Sequence, residues 1–235
     1  MKPLNDRDLL QLCEQGSSMH PLDRGLLALS AALPDVSQGT LADWPLGRLN
    51  AALIVLRCAC FGPRLQAWIA CVRCAEKLEF ELDGRALAQR AEDADYSKPV
   101  AVNGQTFRLP TTRDVACVVQ ESDPERGALR LAEACLVARD DSSASAAADL
   151  EEVGRQMSLA DPMAEILVNL PCPACGFENN PHLDIGSFLW TEMEARAKRL
   201  LLEVHLLASA YGWTEQAILS LSGQRRAAYL EMVRG

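Results

Sequence analysis

Aromatic residues make up only 5% of this 235-residue chain. Alanine and leucine are abundant instead, a balance that favours helices with small interdigitating side chains over a β-sandwich. Histidine is scarcer still, at positions 20, 182 and 205, and none neighbours a candidate nucleophile. No apolar run is long enough to span a membrane, since Arg57 interrupts the best candidate, "LNAALIVLRCACFG". The start, "MKPLNDRDLLQLCEQ", lacks the apolar core of a signal peptide and carries early acidic residues, so a cytosolic protein is expected. No G-x-S-x-G, H-E-x-x-H, P-loop or dinucleotide fingerprint occurs. These absences argue against an enzyme.

Basic charge is also short. Net charge is −9, with 23 basic against 32 acidic residues. The surplus sits in the middle, where residues 76–165 hold 10 basic and 19 acidic groups. An acidic region of that size repels phosphate, which disfavours nucleic acid as a partner; a solubilising face is the plainer explanation.

Cysteine, by contrast, is plentiful, with nine residues. In a reducing cytosol these do not form a disulfide framework. Two pairs have C-x-x-C spacing, Cys71/Cys74 and Cys172/Cys175. That spacing lets two thiolates of one turn reach a single tetrahedral ion. Each pair precedes a strand-like stretch, "KLEFELD" and "FENNPHLDI", whereas a redox pair needs a helix N-terminus. One structural zinc per chain, held by four cysteines, is therefore expected. Closing the long loop between Cys74 and Cys172 costs ~4 kcal/mol, against ~10–16 kcal/mol returned by a structural zinc site. "CVRCAE" lacks the proline and glycine of "CPACGF", and Arg73 is placed to offset thiolate charge. His182, seven residues after Cys175, is a substitute ligand, although four cysteines suffice. Cys58 and Cys60 point about 160° apart on a helix, and Cys117 and Cys135 lie in apolar helical runs, so core packing is expected for these. His205 is expected as an ordinary residue of the C-terminal helix.

The segmental reading gives an α+β fold, mainly α-helical, with a zinc-ribbon-like pair of cysteine knuckles and a small β-hairpin insert. Residues 1–70 form an N-terminal helical region, residues 71–185 a knuckle region with an acidic α/β insert (76–165), and residues 186–235 a C-terminal helical region. Helices are expected in "NDRDLLQLCEQG", in "HPLDRGLLALSAAL", from Pro45 to Gly62 and, shortly after, in "PRLQAWIA". Residues 77–83 alternate as a strand, and Asn103-Gly104 marks a hairpin. Helices over 111–120 and 124–138, a mobile loop "DDSSASAAADLEE" entering a helix near residue 147, and a strand "AEILVNL" complete the middle. Leu189, Met193, Ala197, Leu200, Val204, Leu207 and Tyr211 recur at helical spacing. Around them, Glu192–Arg196, Glu194–Lys198 and Arg199–Glu203 are set four apart as surface pairs. Gly212 ends that helix, and Thr214 and Ser222 cap helices over 215–221 and 223–233.

Taken together, "LGRLNAALIVLRCACFGPRLQAWIACVRC", "KLEFELD", "FRLPTTRD" and above all "CPACGFENNPHLDIGSFLWTEMEARAKRLLLEVHLLASAYGWTEQAILSLSGQRRAAYLEMV" resemble a family of baseplate assembly proteins. That family serves contractile-tailed bacteriophages and related phage-tail-like contractile injection particles. The resemblance implies a non-enzymatic chaperone or structural component of the baseplate hub, with zinc on Cys71, Cys74, Cys172 and Cys175. It further implies hub, spike or tape-measure partners, and a place in the bacterial cytoplasm during assembly or in the finished particle. By analogy, Trp190, Tyr211, Trp213, Arg225, Arg226 and Tyr229 are candidate partner anchors, or else they lock the last helices together. Two other readings stay open: a zinc-ribbon regulator whose terminal "WTEQAILSLSGQRRAAYLEMV" binds nucleic acid, and a zinc hydrolase, which needs an open metal position.

Overall fold

The chain's two ends fold against each other. A computed structural model describes residues 1–91, 95–139 and 149–234. Helix α1 (Asp6–Gly16) opens on a capping box between Asn5 and Asp8. Helix α2 (Pro21–Ala32) opens on the His20 imidazole, which accepts the Leu22 N–H, and has proline in its first turn. After short α3 (Gln38–Ala42) comes α4 (Leu46–Phe61). The long helix α9 (Ile185–Tyr211) lies across α1, α2 and α4. Leu9, Leu12, Leu26, Leu29, Leu49, Leu53, Ile54, Leu189 and Met193 fill the space between them. Leu189 and Met193 open the stripe read from the sequence; further along, Val204 and Leu207 pack instead with Ile218 and Leu230, and Tyr211 is exposed.

Among the described residues, the ion pairs that the spacing suggested within α9 do not form. Glu192 takes Arg57 of α4 in a two-pronged pair at 2.6 and 2.7 Å. Arg196 reaches Asp6, and Glu203 accepts from Arg226 at 2.9 Å. Tertiary partners outbid neighbours on the same helix because burial strengthens them.

Strand β1 (Arg64–Ala70) pairs antiparallel with β2 (Lys77–Asp83), in register from Arg64↔Asp83 to Ala70↔Lys77. The helix expected in "PRLQAWIA" is thus a strand. Its apolar residues Leu65, Ala67 and Ile69 alternate, and β2 supplies ladder partners that no local signal reveals. Arg57, 3% exposed, fixes the start of β1 by donating to the carbonyls of Gly62 and Arg64, both at 2.7 Å.

Helix α5 (Gly84–Gln89) leads into a second, smaller core. Here β3 (Val100–Val102), β4 (Gln105–Phe107) and β5 (Leu136–Arg139) form an antiparallel sheet. Asn103 (φ 49) and Gly104 (φ 76) make the expected turn. Helices α6 (Thr112–Val118), α7 (Pro124–Cys135) and α8 (Leu150–Ala160) accompany it. Phe107, Leu109, Cys135 and Val153 are buried at its centre. The helix expected to reach residue 138 stops at Cys135, because Leu136 and its successors pair with β4. Of the expected loop, residues 140–148 lie outside the described residues; the helix expected near 147 is α8.

The "AEILVNL" segment is extended only in part. Leu167 bridges His182, and regular pairing begins at β6 (Leu170–Pro171) with β7 (Glu178–Asn179). Gly212 (φ 68) stops α9, then α10 (Glu215–Ser220) and α11 (Gly223–Arg234) fold back on it. Thr214 and Ser222 cap them as expected. Among the described residues, no helix is long and apolar enough to cross a membrane. The fold is mainly helical, with small antiparallel sheets and one four-cysteine cluster.

Candidate metal centre

Two hairpins meet at their tips. The turn between β1 and β2 is Cys71–Glu76, and the turn between β6 and β7 is Cys172–Phe177. The two turns share one hydrogen-bond pattern. Cys71 N–H donates to Glu76 O and Cys172 N–H to Phe177 O, both at 2.8 Å. Ala75 N–H returns to Cys71 O at 2.8 Å and Gly176 N–H to Cys172 O at 2.9 Å. The residue after each second cysteine is left-handed, with φ 69 at Gly176 and φ 62 at Ala75. So the first knuckle, which departs from "CPACG" in sequence, keeps its shape by placing an alanine where glycine is favoured.

The four sulfurs of Cys71, Cys74, Cys172 and Cys175 all lie within 4.8 Å of one another. Across the knuckles, Cys71 Sγ is 3.8 Å from Cys175 Sγ, and Cys74 Sγ is 3.6 Å from Cys172 Sγ. A tetrahedral ion with Zn–S bonds of about 2.3 Å requires sulfur edges of about 3.8 Å, whereas a disulfide needs about 2.05 Å. The spacing fits one four-sulfur metal site and excludes disulfides. Cys71 and Cys172 are buried, Cys175 is half-buried and Cys74 is exposed. Leu78, Ile69 and Leu170 form the apolar seat behind them.

Local fields act in opposite directions on the two thiols of the first knuckle. Burial pushes the Cys71 thiol up, but N–H groups of Arg73 and Cys74, with the Asn179 amide and Cys172, outweigh it and hold Cys71 at about 6. The Glu76 N–H draws Cys74 down, yet the sulfurs of Cys175, Cys172 and Cys71 push it to about 12. Thiolates crowded this closely repel one another, and a divalent cation offsets that repulsion. The remaining cysteines behave differently. Burial raises Cys13 and Cys135 to about 11 and lifts Cys58 and Cys60 as well. Cys60 Sγ accepts the Leu4 N–H at 3.4 Å. Cys117, expected in the core, is exposed, because α6 is short and turns that side outward.

His182 is exposed and stays outside the cluster, its backbone bridging Leu167. His205 is exposed on α9. Sequence reasoning missed Asn179, which is 3% exposed and touches both knuckles. Its Oδ1 accepts the Val72 N–H at 3.1 Å, and its Nδ2 lies 3.6 Å from Cys71 Sγ. The one signal available was its place, seven residues after Cys172, where Leu78 stands seven after Cys71.

The six candidate anchors divide. Trp190 is 4% exposed, its indole N–H donating to Glu194 at 2.7 Å. Arg226 is 1% exposed and is bonded to Asp6, Glu203 and the Leu221 carbonyl. Both serve the protein's own interior. Tyr211, Trp213 and Tyr229 pack ring on ring, with centroids 4.7 to 5.8 Å apart, and Arg225 is exposed. The chain matches no protein-family model, no curated protein and no solved structure.

Proposed function

We propose that the chain is a non-enzymatic assembly factor or structural component of a contractile tail or injection-particle baseplate, held in shape by one structural zinc. The observation that carries the metal half is the tip-to-tip meeting of two congruent knuckles, with cross-knuckle sulfur spacings of 3.6 and 3.8 Å. Cys71, Cys74, Cys172 and Cys175 would hold the ion in a zinc-ribbon-like clasp. Four protein sulfurs complete a tetrahedral shell, so the ion would supply cross-linking, and no position remains for water or substrate. That favours scaffold over hydrolase. Zinc is the first choice because tetrahedral four-sulfur donor sets suit it, with iron the rival.

The baseplate half rests on the resemblance of "CPACGF", the long following helix, "YGW" and "RRAAYLE" to that family. Of the two clustered arginines on which a nucleic-acid reading leans, Arg226 is taken up by Asp6 and Glu203 inside the protein. Affinity purification from cells expressing the whole particle operon tests the proposal. Co-purification of hub, spike or tape-measure protein is expected; recovery of none of these would refute it. Metal analysis of the same material should find about one zinc per chain.

A further inference from the structure

The two knuckles match in backbone but not in the side chain behind them. Seven residues after the first cysteine, knuckle one has Leu78 and knuckle two has Asn179, each buried against the cluster. A polar amide in such a seat is costly unless every polar atom is used. Asn179 uses them on both sides of the knuckle boundary. Its oxygen takes the Val72 N–H of the opposite turn at 3.1 Å. Its nitrogen shares two hydrogens among three acceptors, the carbonyls of Leu170 and Phe177 in its own hairpin, both at 3.2 Å, and Cys71 Sγ of the first knuckle at 3.6 Å. Leu78, in the matching position, offers only hydrocarbon.

Building on the four-cysteine metal reading, we propose that Asn179 is a positioning residue that makes the centre asymmetric. It clamps the first knuckle to the second through Val72 and shares an N–H with the Cys71 sulfur. Charge on that one thiolate is thereby lowered, and its direction is fixed before the ion arrives. The matching sulfur, Cys172, has no such donor from Leu78. Partners of this kind are worth roughly 10–100-fold in metal affinity.

The test compares wild type with Asn179→Asp, which keeps size and the acceptor for Val72 but removes the donor and sets a carboxylate beside the thiolates. Zinc affinity is read by chelator competition and ligand-field geometry by cobalt substitution. The expected result is four-sulfur tetrahedral cobalt in both proteins. In N179D, affinity should fall by about 10–100-fold and the sulfur-to-cobalt charge-transfer band should move to lower energy. Affinity within about twofold of wild type and an unmoved band would assign Asn179 to packing alone and overturn the inference while leaving the metal centre intact. A wild type that takes up neither ion removes the metal reading and this inference together. Should N179D fail to fold, wild type loaded with cadmium-113 decides. A through-hydrogen-bond coupling from cadmium to the Asn179 side-chain amide protons is expected, and its absence overturns the proposal.

Discussion

Ala75 stands where the second knuckle has Gly176, and exchanging the two residue types weighs the strain of the site directly. Ala75 holds φ 62 and is exposed, so its methyl group contributes little burial. A left-handed conformation costs an L-residue about 1–2 kcal/mol. Glycine removes that cost but loses about 0.5–1 kcal/mol more backbone entropy on folding. Ala75→Gly should therefore stabilise the protein by about 0.5–1 kcal/mol, and a chain of this length gains roughly 2–4 °C in Tm for each kcal/mol. Gly176→Ala should do the reverse. A Cβ built on Gly176 meets nothing within 4 Å, so no clash inflates the loss beyond the backbone term. Thermal unfolding of both variants in the presence of zinc, followed by far-ultraviolet circular dichroism, reads the two shifts. Opposite signs of similar size are expected. A Tm that falls for Ala75→Gly, or rises for Gly176→Ala, would refute the argument that the left-handed residue sets the knuckle's shape.

Other perturbations test the parts that carry the site. Arg226→Met strands Glu203 and takes one partner from Asp6, which keeps Arg196. Both acids retain some water, so about 2–3 kcal/mol should be lost in urea unfolding, less than for a fully buried pair; Arg225→Met, at an exposed position, should be neutral. Gly47→Ala would drive its Cβ into the Asp161 carboxylate, whose other oxygen accepts the Gly47 N–H at 2.9 Å. Losing that bond outweighs the ~1 kcal/mol gained in helix propensity, and a net loss of about 1–3 kcal/mol is expected in urea unfolding. Burial pushes the Asp114 carboxyl up, but Arg108 and the N–H and O–H of Thr111 outweigh it and hold it below its usual value. Its contribution is present above about pH 4 and fades as pH falls through the lowered native value. Asp114→Asn should flatten that stretch of the stability–pH curve, and an unchanged slope would count against the pairing.

Local signals made part of this structure legible and left part of it hidden. Pro21, Gly62 and Gly212 punctuate helices by backbone geometry alone, and the α9 stripe repeats through about six turns, so both could be read directly. The paired C-x-x-C turns were legible for the same reason, since each is built within six residues. Residues 64–70 and 136–139 were misread because their state is decided by partner strands elsewhere in the chain. The "AEILVNL" segment looked like a strand by its apolar content. In the structure Ile166, with Met163 just ahead of the segment, serves the core, while the Asn50 side chain holds the carbonyls of Met163 and Ala164. Asn179 escaped notice, and Arg226 was read as a partner anchor, because the partners that bury them are distant in sequence; a lone polar residue carries no mark of being buried.

A metal held by the four cysteines would not close the loop between the knuckles alone. Read from sequence, the insert hangs from the cysteines, and the ion must offset the whole closure entropy. In the structure α4 gathers the insert at several points. Leu46 N–H donates to Pro110 O at 3.0 Å, Gly47 N–H to Asp161, and the Asn50 amide to Met163 O at 2.8 Å. Each tether divides the long loop into shorter ones, and closure entropy depends only logarithmically on length. Removing the ion should then open the two hairpin tips and leave the seam on α4 closed. Hydrogen exchange after chelation should show early loss of protection at Cys71, Ala75, Cys172 and Gly176 N–H, with Leu46 and Gly47 still protected. Simultaneous loss at both places would mean that the ion, and not the seam, holds the insert to the helical core.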